Sequence, residues 1–177
     1  LCRELPASLP LCPYKELILM DVGIENIRVR PITIEEWENA MGLAWKTFLK
    51  FESEDYEQEG IDNFQDFITD QTLKRMFRLG EYYLYAAFFR SRMVGIISLR
   101  DKEHISLLFV DEEFHKMGIG RKLIYEIRKL EKRLGGYRLT VNSSPYAVGF
   151  YHKIGFVDTN LEQKKDGIRY TPMSWIF

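Results

Sequence analysis

Residues 110–127 read VDEEFHKMGIGRKLIYEI, and two glycines, Gly118 and Gly120, stand there between an apolar run and an amphipathic one. The run before them, HISLLFV (104–110), reads as a strand. The run after them places Leu123, Ile124, Ile127, Leu130 and Leu134 on one helical face, which stops at Gly135-Gly136. A strand that turns through glycines into a helix aims the helix's first unpaired N–H groups, and the positive end of its dipole, at the turn. Glycine also removes the Cβ that would hold a ligand away. Such a join suits an anion, but G-x-G alone fits a plain tight turn equally well. No Walker-type G-x-x-x-x-G-K-S/T loop is present, and Leu123 stands where a dinucleotide fingerprint carries its third glycine. The flanking charge favours an anion. Lys116, Arg121, Lys122, Arg128, Lys129, Lys132 and Arg133 face only Glu126 and Glu131. The distal bases read equally well as a solvated helix face, whereas Lys116 and Arg121 stand at the turn itself.

Working outward, IRVRPIT (27–33) alternates as a half-buried strand does. TIEEWENAMGLAWKTFLKF (33–51) spaces Trp37, Met41, Ala44, Trp45 and Phe48 as a helix behind a Thr33 cap, with Glu36 three residues on. NFQDFITDQTLKRMFRLG (63–80) reads as a second helix ending at Gly80. YYLYAAFF (82–89) and MVGIISLR (93–100) form a hairpin. Beyond the central helix come a strand, YRLTV (137–141), and a short helix, YAVGFYHKIG (146–155). The tail reads as FVDTNLEQ (156–163), a turn at Asp166-Gly167, and IRYTPMSWIF (168–177). The predicted order is β-α-α-β-β-β-α-β-α-β-β, about seven strands and four helices in one mixed α/β domain spanning residues 20–177. Residues 1–19, LCRELPASLPLCPYKELIL, are broken by Pro6, Pro10 and Pro13 and show no period. They read as a poorly structured leader or extension, or alternatively as an arm packed on the domain.

Composition narrows the classes. With 46% hydrophobic residues, including 12 Phe, 10 Tyr and 3 Trp, the chain can build a sizeable core. A formal net charge of −1 gives no overall pull towards nucleic acid or membrane. No apolar run has the roughly 18 residues of a membrane span, and the cytoplasm is the simplest compartment. Cys2 and Cys12, the only cysteines, lie in the first dozen residues, so neither a disulfide framework nor a Cys-based metal site is expected.

LLFVDEEFHKMGIGRKLI (107–124), followed by LTVNSSPYAVGFYHKIGF (139–156), resembles the acetyl-CoA-binding core of the GCN5-related N-acetyltransferases, the GNAT family. The element order matches that family along nearly the whole chain from Ile27. The resemblance implies a mostly antiparallel sheet flanked by helices, with acetyl-CoA as cosubstrate and no metal. It also implies direct transfer of acetyl to a primary amine, on a small molecule or a peptide, by a monomer or homodimer. The family's glycine loop would comprise His115, Lys116, Met117, Gly118, Ile119 and Gly120, with Arg121 beside it, and its amides would hold the pyrophosphate of coenzyme A. His115 departs from the pattern by standing where Gln or Arg is usual. The backbone does most of the holding, so binding is expected to survive.

By the same resemblance, Leu108, Phe109 and Val110 would hydrogen-bond the pantetheine arm through their backbone. Their strand and Tyr137–Val141 would splay to open a slot for the thioester. Asn142 would contact the pantetheine, or else is a strand-end Asn making a turn. Tyr151 matches the family's helix tyrosine near the thioester sulfur. A tyrosine, with a pKa of about 10, is protonated at neutral pH and can donate to the departing thiolate; otherwise Tyr151 only packs.

The general base is open. Relatives carry a glutamate on the strand before the loop, where this chain has Ser106 and Leu107. His104 is one candidate. A water chain or a carboxylate from elsewhere is equally plausible. FESEDYEQEGIDNFQD (51–66) holds seven acids and no base. It reads either as an attractor for a cationic amine or as a solvated acidic loop, with Tyr56 and Phe64 as aromatic walls or anchors. Two other readings stand beside the enzyme: an acyl-CoA sensor without turnover and a nucleotide-binding module.

Overall fold

Alternating and helical apolar patterns segregate as the sequence predicts in the computed structural model, which describes residues 23–177. The reading of residues 1–19 as an appendage lies outside the described residues. The elements are β1 (Ile27–Pro31), α1 (Trp37–Phe51), α2 (Gln58–Thr69), α3 (Gln71–Arg78), β2 (Tyr82–Phe89), β3 (Arg92–Arg100) and β4 (His104–Val110). They continue as α4 (Ile119–Arg133), β5 (Arg138–Ser143), α5 (Val148–Ile154), β6 (Val157–Asp158), β7 (Gln163–Lys165) and β8 (Ile168–Ile176). The sheet runs β1-β2-β3-β4-β5-β8-β6, with β7 paired to β8. Every pairing is antiparallel except β4 with β5. The mixed α/β fold with a mostly antiparallel sheet is therefore as expected.

Two details differ from the sequence reading, giving eight strands and five α-helices among the described residues. The helix expected over 63–80 breaks at Asp70. That residue takes an extended ψ of 120° and caps α3 by accepting a hydrogen bond from the Thr72 amide at 2.7 Å. The tail divides into three strands. Leu134, expected on the buried face of α4, lies just beyond the helix and is exposed.

The sheet has apolar residues on both faces. On one, Leu123 and Ile127 of α4 pack against Ile97, Leu99, Ile105 and Leu139. On the other, Trp37, Ala44 and Phe48 of α1 meet Leu84, Ile96 and Leu107. Burying each such large side chain contributes about 1.5–3 kcal/mol. Between the two faces β4 carries a bulge. Ser98 opposes Leu107 and Leu99 opposes Ile105, which leaves Ser106 as the extra residue. Ile105 consequently faces the α4 side while Leu107 and Phe109 face α1. No helix among the described residues is long and apolar enough to cross a membrane.

Candidate active site

The glycine turn enters α4 with Gly118 in the left-handed region at φ 80°. Lys116 holds a positive φ of 62° as well, which is uncommon for a non-glycine residue. The first intrahelical bond of α4 runs from the Lys122 amide to the Gly118 carbonyl, so the Ile119, Gly120 and Arg121 amides precede it and have no helical acceptor. A side chain on Gly118 would be strained, and its Cβ would lie 2.9 Å from Ile24. A Cβ on Gly120 would lie 3.0 Å from the Phe150 ring of α5. Gly120 is thus also a packing residue, a role its sequence context did not suggest.

The basic surplus sorts itself by position. Arg128 stacks on Trp175 and Phe177, Lys129 pairs with Glu126 at 2.6 Å, and Lys122 donates to the carbonyls of Ile24 and Ile27. Lys116 and Arg121 are exposed at the turn, with no ion pair to any described residue. The His115 Nε2–H donates to the Val110 carbonyl at 2.7 Å, tying the loop to the end of β4.

From that end, β4 and β5 part. They pair only at His104 with Thr140 and Ile105 with Val141. Leu108, Phe109 and Val110 therefore lie on a stretch of β4 with no strand partner towards β5, and Asn142 is exposed on the opposite lip. Between the strands opens a cavity of about 160 Å³. Ser106 and Leu108 of β4, Asn142 of β5 and Tyr151 of α5 line one part of it. Phe48 of α1, Glu52, Tyr56 and Phe64 of α2 line another. Tyr151 is 4% exposed and sits edge-on to Phe150 and Phe156.

Glu52 is the carboxylate that reading the sequence did not single out. It caps the C-terminus of α1, is half-buried, and lines the cavity. Burial pushes its pKa up to about 7; the adjacent Ser144 hydroxyl offsets part of this, and Asp55 adds to it. The Ser144 hydroxyl has no properly formed hydrogen bond to any described residue, so it favours the charge without fixing it. Burial, and secondarily the charge of Glu52, raises Tyr151 well above an ordinary tyrosine, so its hydroxyl is protonated at any working pH. Tyr56 is raised for the same two reasons and by Asp55.

His104 is not brought to this place. It stands at the far end of β4, its Nδ1 2.9 Å from the Thr140 hydroxyl, outside the cavity lining, and burial lowers its pKa. The rest of the acidic stretch divides. Glu57 pairs with Lys164 at 2.5 Å and Asp55 with Arg169 at 3.9 Å, while the Glu57 amide and the Asn63 side chain bond the carbonyls of Gly167 and Asp166. Much of it therefore fastens α2 to the β7–β8 hairpin rather than facing a ligand. The useful signal for Glu52 was its place directly after an apolar helix face, which points it at whatever that face covers. Among the described residues, no group of His, Cys, Asp and Glu is placed to hold a metal ion.

The profile of a family described as an acetyltransferase (GNAT) domain matches residues 52–177. A GCN5-related N-acetyltransferase from Rhodopseudomonas palustris superposes with a TM-score of 0.73 at 24% identity, over 85% of this chain and 95% of that one. The PaiA N-acetyltransferase of Thermoplasma acidophilum, in complex with coenzyme A, gives 0.70 at 21%, over 85% and 99%. The apo form of YjaB from Escherichia coli gives 0.63 at 22%, over 84% and 97%. At these identities the likeness concerns the fold. Comparison with curated proteins finds no match.

Proposed function

The chain belongs to the GNAT acetyltransferase family and is an acyltransferase, and from that premise we propose that it transfers acetyl from acetyl-CoA directly to the nitrogen of a primary amine. The observation that carries the reading is the parting of β4 and β5, with the glycine turn at one end of the slot and Glu52 and Tyr151 in its cavity. The Ile119, Gly120 and Arg121 amides, with Lys116 and Arg121, take the pyrophosphate. The unpaired edge of β4 from Leu108 to Val110, and Asn142 opposite, take the pantetheine, although the Val110 carbonyl is already engaged by His115.

Glu52, rather than His104, acts as general base. The incoming ammonium gives one proton to Glu52, and the freed nitrogen attacks the acetyl carbon. As the C–S bond breaks, sulfur takes the Tyr151 proton, and Tyr151 recovers the second proton that the nitrogen releases. An amide, free thiol and protonated Glu52 result, and Glu52 then returns its proton to water. The two groups are coupled. The charge on Glu52 helps hold Tyr151 in its protonated form, so protonating Glu52 makes Tyr151 a better donor at the step that needs one. A pair of ionisable groups facing the same cavity favours turnover over a silent sensor.

Acetyl-CoA should raise the melting temperature, because a ligand that binds only the native state stabilises it by mass action. Gly118→Val should remove that shift, its branched side chain being strained at φ 80° and driven against Ile24, which distorts the turn whose amides hold the phosphate. A full shift in this variant would place the cosubstrate elsewhere. Release of free thiol from acetyl-CoA in the presence of primary amines tests the transfer itself, and release without any dependence on amine would refute it.

A further inference from the structure

The amine side of the cavity has a definite chemistry. Its wall is a continuous aromatic surface: the Phe48 and Phe64 rings stack at 4.1 Å, Tyr56 stacks on Phe48 at 5.4 Å, and Phe109 meets Phe64 at 5.7 Å. Ile168 completes it from β8. Glu52 is the one charged side chain among the lining residues. Asp55 and Glu57, which could have supplied further negative charge, are turned to Arg169 and Lys164 of the C-terminal hairpin. The space of about 160 Å³ must also admit the thioester, which restricts the acceptor to a small group beside Glu52.

Resting on the acetyl-transfer reading, we infer that the acceptor is a small arylalkylamine: a single ammonium on a short stem that carries a flat apolar ring. The ammonium goes to Glu52 and the ring lies against Tyr56 and Phe64, which cover the buried Phe48. A polyamine would leave a second ammonium against phenylalanine rings with no counter-charge, and a desolvated, unpaired charge is strongly disfavoured. An aminoglycoside would set many of its hydroxyls against the Phe64 and Phe109 rings, which offer them no partner. A lysine side chain can enter but brings only a narrow alkyl stem, which makes less contact with Tyr56 and Phe64 than a flat ring does.

The experiment compares acceptors with the full chain and acetyl-CoA at pH 8, following free thiol. The panel is 2-phenylethylamine, n-butylamine, spermidine, kanamycin and a lysine-containing peptide. kcat/KM for 2-phenylethylamine should exceed that for spermidine or kanamycin by about 10²-fold, the scale on which a site rejects a group it cannot pair. It should exceed that for n-butylamine by up to about tenfold, the scale of an aromatic contact. Phe64→Leu should bring the ratio of 2-phenylethylamine to n-butylamine towards one while the acetyl-CoA thermal shift, a check on folding, persists. Preference for spermidine, kanamycin or the peptide would overturn the acceptor assignment and leave acetyl transfer standing. A normal acetyl-CoA shift with no amine acetylated would also overturn it. Absence of both the shift and turnover would remove the transfer reading along with it.

Discussion

Glu52→Gln is expected to lower kcat by about 10²–10⁴-fold at pH 8, the range of general acid–base contributions, with little change in the acetyl-CoA thermal shift. The amide keeps the shape of the side chain but cannot take a proton. In the wild type, kcat/KM should rise with pH through about 7 as Glu52 ionises, and the variant should lose that inflection. The groups facing Glu52 are Asp55 and Tyr56 from its own turn and α2's approach, Ser144 from the β5–α5 connection, and Tyr151 from α5. Tyr56 and Tyr151 are both raised above the ordinary tyrosine range, so the inflection near neutrality is assigned to Glu52.

The sign of the stability effect separates this role from a structural one. A carboxyl group whose folded pKa lies above its unfolded value of 4.5 binds its proton more tightly in the native state. It therefore stabilises the fold least once pH has risen past about 7. Glu52→Gln should accordingly raise the melting temperature at pH 8, by a free energy on the order of 1–2 kcal/mol once contact with solvent in the cavity is allowed for. The gain should shrink towards pH 5. A variant that lost both turnover and stability would mark Glu52 as a structural carboxylate.

Tyr151→Phe should lower kcat by about 10²-fold and leave acetyl-CoA affinity nearly intact. The ring contacts with Phe150 and Phe156 survive the change, since only the hydroxyl is lost. Because the charge on Glu52 bears on Tyr151, the double variant should lose less than the product of the two single effects. Turnover at the wild-type rate by the single variant would reduce Tyr151 to a packing residue.

What could be read in the sequence was whatever has a local cause. The alternation of IRVRPIT, the helical spacing from Trp37 to Phe48 and the glycine turn each name their element without help from elsewhere. The break at Asp70 was also local: an Asp two residues before Thr72 is a cap, hidden inside a run that otherwise keeps helical spacing. Glu52 was only partly local. Seven acids crowd residues 51–66, and its place directly after the apolar face of α1 hints at the cavity without saying which of the seven faces it. That is decided by where α1 stops and by Lys164 and Arg169, more than a hundred positions away, drawing Glu57 and Asp55 aside. His104 is the reverse case. Its chemistry was suitable, but a strand seven residues long carries it to the wrong end of the slot.

The seam between β4 and β5 bears on how the chain assembles. On its amino-terminal side, β2, β3 and β4 are neighbours in sequence as well as in space, joined by connections of two residues (Arg90, Ser91) and three (Asp101 to Glu103). Such hairpins close over short loops, and low contact order favours early formation. On the other side, β8 inserts between β5 and β6, which both precede it in the chain, so this half closes only once β8 has been made. The parallel pairing across the seam is confined to two residue pairs and waits on α4. The meander is therefore expected to form first and the carboxy-terminal strands to dock on it last. The same seam that opens the cavity thus divides the domain into an early and a late folding half.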